Sequence, residues 1–215
     1  MKILTISDKV EDSIYSSGVC ERFGDVNLVL GCGDLPHYYL EFIVTMLGGP
    51  LFYVVGNHAH AVKEQHAAKE HMGFPDGCEN IDGRTVRYRN LLIAGFEGSM
   101  RYNNSPHFQY TEREMAWKVW QLTPALMLNR LRYGRYLDIL ITHAPPQGIH
   151  DQEDRCHRGF RVFRTFMDRF QPRYLIHGHI HVYTNLEPRV TSYGNTQVIN
   201  TYGHRILEID DDTLR

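Results

Sequence analysis

At 215 residues the chain is long enough for one sizeable hydrophobic core and short for two, so residues 1–215 are expected to form a single domain. Hydrophobic residues at 42% and charged residues at 22% give an ordinary soluble globular composition. A formal net charge of −2 offers no bulk attraction to a polyanion, and no apolar run approaches the ~18 residues of a membrane span. The N-terminus runs straight into "KILTIS", which reads as a strand and not a secretory signal. Cys20, Cys32, Cys78 and Cys156 are scattered with no CxxC, as reduced thiols of a cytoplasmic protein would be. The unusual count is histidine, at 13.

In chain order, "KILTI" (2–6) and "VNLVL" (26–30) are continuous apolar runs, the pattern of strands buried on both faces. "LEFIVTMLG" (40–48) is helix-like and ends at Gly48-Gly49-Pro50. "LFYVV" (51–55) is a strand, and "HAVKEQHAAKEHMG" (60–73) is rich in helix formers. "NLLIAG" (90–95) is the next strand. The helix-like stretch 111–134 opens with Thr111 three residues before Glu114, a capping-box pattern, and Pro124 is expected to break or kink it. "LDILIT" (137–142) follows. In 155–170, Phe160, Phe163, Phe166, Met167 and Phe170 fill one helical arc, and Arg155, Arg158, Arg161, Arg164 and Arg169 the other. The plain reading is an amphipathic helix with a solvated basic face, and the sharper one a phosphate or nucleic-acid docking surface. "RYLIH" (173–177), "QVINT" (197–201) and "RILEI" (205–209) complete the strands. Strand–helix alternation in the first half argues α/β, and the close succession of the last two strands argues a mixed sheet.

Polar residues follow these strands in a consistent way. Asp8 follows the first, Asp34 the second, Asn57 and His58 the third, His143 a later one, and His179 and His181 the run "RYLIHG". The carboxyl ends of parallel strands share one edge, where ligands bind. Each residue alone is an ordinary loop or core polar group; five strands delivering carboxylates and imidazoles to one edge is the pattern of a divalent transition-metal site. Six or seven donors exceed one tetrahedral site, so two ions are expected, about 3.5–4 Å apart and able to clamp a phosphoryl group. His179 and His181 fall on the same side of an extended segment. His177 reads as a core residue at the strand end.

The ordered set "GCGD" (31–34), "GNH" (56–58), "THAPP" (142–146) and "GHIH" (178–181), after a strand–Asp start, resembles the calcineurin-like metallophosphoesterase superfamily over residues 8–181. The resemblance implies a four-layer α/β/β/α sandwich with two mixed sheets and a dinuclear metal centre. By that analogy Asp34 bridges both ions, Asp8 and His181 hold the first, and Asn57, His143 and His179 hold the second. His58 donates a hydrogen bond or proton to the phosphate or leaving group, and a metal-activated hydroxide is the nucleophile. Manganese is the first expectation for both ions, with iron, zinc, cobalt or nickel as alternatives. The implied activity is hydrolysis of a small phosphodiester or phosphomonoester.

The sequence departs from the family pattern twice. Asp-x-His reads Asp8-Lys9-Val10, which removes a ligand from the first site; Glu11 or Asp12 is the candidate replacement, water or an empty site being the other outcomes. The acid expected after GNH is Ala59, followed by His60. The altered first motif leans the reading toward a phosphodiesterase and keeps a catalytically impaired binding scaffold as the alternative, with a nuclease third. In the loop 97–111, Arg101 and Asn103 are candidate phosphate contacts, as is His60. His150 and His157 read as surface residues that could line the pocket, Trp117 and Trp120 as core or interface, and His66 and His71 as exposed helix residues.

Overall fold

All eight apolar runs are strands in the computed structural model, which describes residues 1–58, 74–104, 107–183 and 188–210. In chain order they are β1 (Lys2–Ser7), β2 (Leu28–Cys32), β3 (Leu51–Val54), β6 (Leu91–Phe96), β9 (Ile139–Thr142), β10 (Tyr174–His177), β12 (Thr196–Asn200) and β13 (Gly203–Glu208). Five shorter strands join them: β4 (Cys78–Asn80), β5 (Thr85–Tyr88), β7 (Ser99–Met100), β8 (Gln109–Tyr110) and β11 (Val190–Tyr193). The described helices are α1 (Val19–Phe23), α2 (His37–Leu47), α3 (Glu112–Tyr133) and α4 (Arg161–Phe170). The helix expected over 60–73, with His60, His66 and His71, lies outside the described residues. No helix among the described residues is long and apolar enough to cross a membrane.

The strands form two mixed sheets. One has the order β13-β1-β2-β3-β4, parallel except for β13 against β1. The other has the order β11-β12-β10-β9-β6-β5, parallel at its centre with antiparallel strands at both edges. β12 and β13 therefore belong to different sheets, and the chain crosses between them at Thr201–Tyr202.

Three apolar clusters define four layers. Between the sheets, Ile3, Leu28, Leu30 and Val54 of one meet Ile93, Ile139, Ile141 and Ile176 of the other. Leu4, Ile6 and Val29 pack beneath Val19 and Phe23 of α1 and Tyr39 and Ile43 of α2. Leu140 and Leu175 pack beneath α3 and α4, through Met115, Leu122, Leu126, Phe163 and Phe166. The central strands are buried on both faces, which is why they are continuous apolar runs in the sequence.

The aromatic arc of the 155–170 segment is the core face of α4, and its helix starts at Arg161, not before. Its first amides, of Arg161 and Val162, donate to the Glu112 carboxylate at 3.0 and 2.6 Å. α3 runs unbroken through Pro124. Pro124 and Trp120, whose carbonyl loses its partner there, are on the solvent side, while Leu122 and Leu126 hold the helix to the core from either side of the proline. Trp117 and Trp120 are exposed, so the core reading of them fails; they face away from the sheet that α3 covers. The capping box is present: Thr111 Oγ1 accepts from the Glu114 amide at 3.2 Å, and Glu114 Oε2 accepts from the Thr111 amide at 2.7 Å. Thr111→Ala should cost about 1 kcal/mol in urea denaturation and Thr111→Ser much less.

Candidate metal centre

The residues that follow β1, β2, β3, β9 and β10 meet at one end of the sandwich, between the two sheets and not on one sheet edge. Asp8, Asp34 and His179 all have positive φ (63°, 54° and 66°), a left-handed conformation uncommon for L-residues but one that Asp and His adopt more readily than most. The turns are held across the sheets. The His179 amide donates to both oxygens of Asp8, at 3.1 and 3.0 Å, and the His58 amide donates to Asp34 Oδ1 at 2.9 Å.

Four donor groups converge on one point. His143 Nε2 lies 3.2 Å from Asp34 Oδ2, 2.8 Å from Asn57 Oδ1 and 3.1 Å from His179 Nδ1. Ligand atoms of Asp34, His143 and His179 all lie within 4.8 Å of one another. The rear nitrogens of both rings face main-chain carbonyls, Nδ1 of His143 at 2.8 Å from Cys32 O and Nε2 of His179 at 2.7 Å from Cys156 O. A carbonyl only accepts, so each rear nitrogen carries a proton; the front nitrogens are the ones that would turn lone pairs to a metal, and without one His143 carries its second proton there. That second contact is the usual support of a metal-ligating imidazole. Front nitrogens, a carboxylate and an amide oxygen at such distances repel unless a proton or a cation lies among them. The donor set therefore fits a divalent transition ion.

The titration behaviour expresses the same tension. Burial works against ionisation of Asp34, but the charge and hydrogen bond of His143 outweigh it and bring the carboxyl down to about 2. Burial likewise disfavours a charged His143, yet Asp34 and Asp8 raise it to about 9. His179 is lowered to about 3, by burial and by the neighbouring His143. Burial raises the Asp8 carboxyl, with His143 opposing and Asp34 reinforcing the shift. One proton on His143 thus holds the cluster together where a metal would otherwise supply the charge.

Asp8 and His181 form a second, looser pair. The Asp8 carboxylate is buried, and His181 Nε2 stands 3.8 Å from its Oδ1, half exposed. His181 stacks on Tyr202 (4.7 Å, 29°), with Nδ1 at 2.9 Å from Tyr183 Oη. Val10 packs against the apolar cluster under α1 and α2. Glu11 pairs with Lys9 at 3.1 Å and lies against Gly203, and it is not among the clustered donors. The His58 ring is exposed at the rim.

Of the loop residues, Arg101 is engaged with both Glu114 oxygens (3.2 and 3.0 Å) and the Gln109 carbonyl. The Asn103 amide approaches Gln109 Oε1. Among the described residues of this loop Tyr102 reaches the centre, its hydroxyl accepting from Asn57 Nδ2 at 3.3 Å. Sequence reasoning passed over it, although it lies between two residues already singled out. His177 is fully buried and bonded to His150 Nδ1 at 2.9 Å. His150 is therefore no surface residue; its Nε2 reaches Thr191 Oγ1 at 2.8 Å. His157 is half-buried and pairs with Asp154 at 2.9 Å, its ring 5.4 Å from that of His179.

Two stacked mixed sheets, with buried imidazoles and carboxylates where their strands end, define an α/β protein whose donor cluster fits a metal ion. The chain belongs to the calcineurin-like phosphoesterase family, whose sequence model matches residues 5–183. It is similar to the UPF0046 protein K07C11.7 of Caenorhabditis elegans, 41% identical over 219 positions covering 93% of this chain and 69% of that protein. Among solved structures it resembles TT1561 of Thermus thermophilus at a TM-score of 0.59, with 15% identity, 100% of this chain and 96% of that one covered. That likeness is one of fold.

Proposed function

We propose that this protein is a metal-dependent phosphoesterase that hydrolyses a small phosphodiester, or a phosphomonoester, at a dinuclear centre. The observation that carries the reading is the pair of buried imidazoles, fixed from behind by the Cys32 and Cys156 carbonyls, whose front nitrogens lie 3.1 Å apart, that of His143 also facing Asp34 and Asn57. Asn57, His143 and His179 would hold one ion, Asp8 and His181 the other, and Asp34 would bridge them; manganese is the favoured metal. When bound, such ions lower the pKa of water and neutralise charge developing on a phosphoryl group. The chain's own contribution is positioning. Asp34 is oriented by the His58 amide, Asn57 by Tyr102, and Asp8 by the His179 amide. His58, at the exposed rim, is the residue we assign to donate a hydrogen bond or proton to the phosphate or the leaving oxygen.

One observation favours a second reading, that of a binding scaffold. Val10 is packed into apolar surroundings, so it adds no ligand to Asp8, His181 and the shared Asp34. Metal stoichiometry of protein purified without chelator, paired with hydrolysis of aryl phosphodiesters and monoesters with added manganese, separates the two. Close to two ions per chain with diester turnover is the expected result. One ion or none, without turnover under any divalent metal, would assign the scaffold role. Metal competes with the His143 proton, and that ring is raised to about 9. Affinity should therefore rise roughly tenfold per pH unit from pH 7 to pH 9 and level off above. Titration against a competing chelator at several pH values measures this.

A further inference from the structure

The outer helix α3 has two apolar faces, and the core uses only one. Met115, Val119, Leu122 and Leu126 are buried against the sheet. On the opposite side Trp117, Trp120, Pro124, Met127 and Leu131 follow at spacings of three, four, three and four residues, with Leu128 beside them. Alternating spacings of three and four make the seam of paired helices. At about 100° per residue this seam lies half a turn from the buried face. Its side chains remain open, at 55% for Trp117, 62% for Trp120, 49% for Met127, 43% for Leu128 and 83% for Leu131, and no described residue covers them. The two tryptophans stack at 4.6 Å and 18°, a plate formed before any partner arrives. Beside the plate lies an open groove of about 800 Å³, lined by Arg101, Tyr110, Arg113 and the tryptophans.

We propose that this face binds a second copy of the chain, α3 against α3, antiparallel across a two-fold axis at Pro124. Reversal about residue 124 sets Trp117 against Leu131 of the partner subunit and Trp120 against Leu128 of the partner subunit. The contact is then self-complementary, as a two-fold interface requires. The helix dipoles select the same orientation, because antiparallel pairing sets the N-terminal end of one α3 beside the C-terminal end of the other. The seam leaves on the order of 600 Å² per copy in water, so pairing removes about 1,200 Å², the lower end for a specific interface. An interface of this size fits a reversible dimer.

Sedimentation equilibrium of the full chain, from low micromolar to several hundred micromolar, tests the proposal. Wild type should pass from monomer to dimer, and Leu131→Glu and Trp120→Glu should each weaken association at least tenfold. Both residues are exposed, so the variants should keep the wild-type circular dichroism and melting temperature. Orientation is read by mild oxidation in a Cys20→Ser background. Mixing Trp117→Cys with Leu131→Cys should give a disulfide-linked pair of the two different chains in excess over either homodimer. Three results would overturn the proposal: a wild type monomeric throughout the range, a dimer that both glutamate variants leave intact, or a preferred Trp117→Cys homodimer. A monomeric wild type that instead binds lipid vesicles through this face would also overturn it.

Discussion

Replacing Asp34 by Asn should lower diester turnover roughly a thousandfold while leaving the fold intact. On the dinuclear reading proposed above, Asp34 would hold both ions, whose charge stabilises the transition state by several kcal/mol, and each 1.36 kcal/mol is a factor of ten in rate. Asn keeps one oxygen to accept the His58 amide, now 2.9 Å from Asp34 Oδ1, so the turn after β2 retains its anchor. It removes the charge that faces His143 at 3.2 Å. Steady-state rates at saturating manganese, with circular dichroism as the fold control, measure the effect. Turnover within tenfold of wild type would remove Asp34 from the chemistry.

The same substitution has a signature in the metal-free protein. His143 is raised to about 9 by Asp34 and Asp8 against its burial, so the unfolded ring, at about 6.5, releases its proton first. The stability from that proton is fully present below about pH 6.5 and is lost as pH rises through about 9. In wild type, urea denaturation with chelator present should show stability falling across that window. In Asp34→Asn the fall should largely disappear, because the neutral amide no longer holds the proton on His143.

Gly56→Ala should cost a further ten- to hundredfold in metal affinity and about 1–3 kcal/mol in stability. The reason is space. A methyl at Gly56 overlaps the Asp34 carboxylate and reaches 2.6 Å from the Asp34 amide, so the side chain and the turn that carries it cannot stay in place. Gly18 is the control: no atom lies within 4 Å of a methyl built there, so Gly18→Ala should leave metal affinity unchanged and shift stability by less than about 1 kcal/mol. Chelator competition and urea denaturation on the two variants separate displacement of Asp34 from any general cost of adding alanine. Equal effects from both would show that Gly56 is no tighter than an exposed loop.

Much of this arrangement was legible in the sequence, and for identifiable reasons. Strands buried on both faces leave unbroken apolar runs, so the central strands could be read directly, and the edge strand β13 keeps enough apolar residues to be read as well. The short edge strands could not. Val190–Tyr193 alternates exposed and half-buried positions, and its only signal is the two-residue turn Gly194-Asn195 that pairs Tyr193 with Thr196. The donor residues were legible because each directly follows such a run. Tyr102 left no trace of that kind, because its reach to Asn57 depends on the path of a loop.

By itself the sequence singled out two aspartates, an asparagine and three histidines, each set after a strand by local apolar patterning. Tertiary structure decided how they meet. It divided the strands between two sheets, fixed the tautomers of His143 and His179 on the carbonyls of Cys32 and Cys156, and turned Glu11 to Lys9 and Val10 into the apolar cluster. It also left Trp117 and Trp120 in water, where helical spacing alone allowed either face. Patterning along a chain records which side of an element is apolar. Which apolar side is covered, and which nitrogen of a ring is bound from behind, depends on atoms contributed by residues distant in sequence.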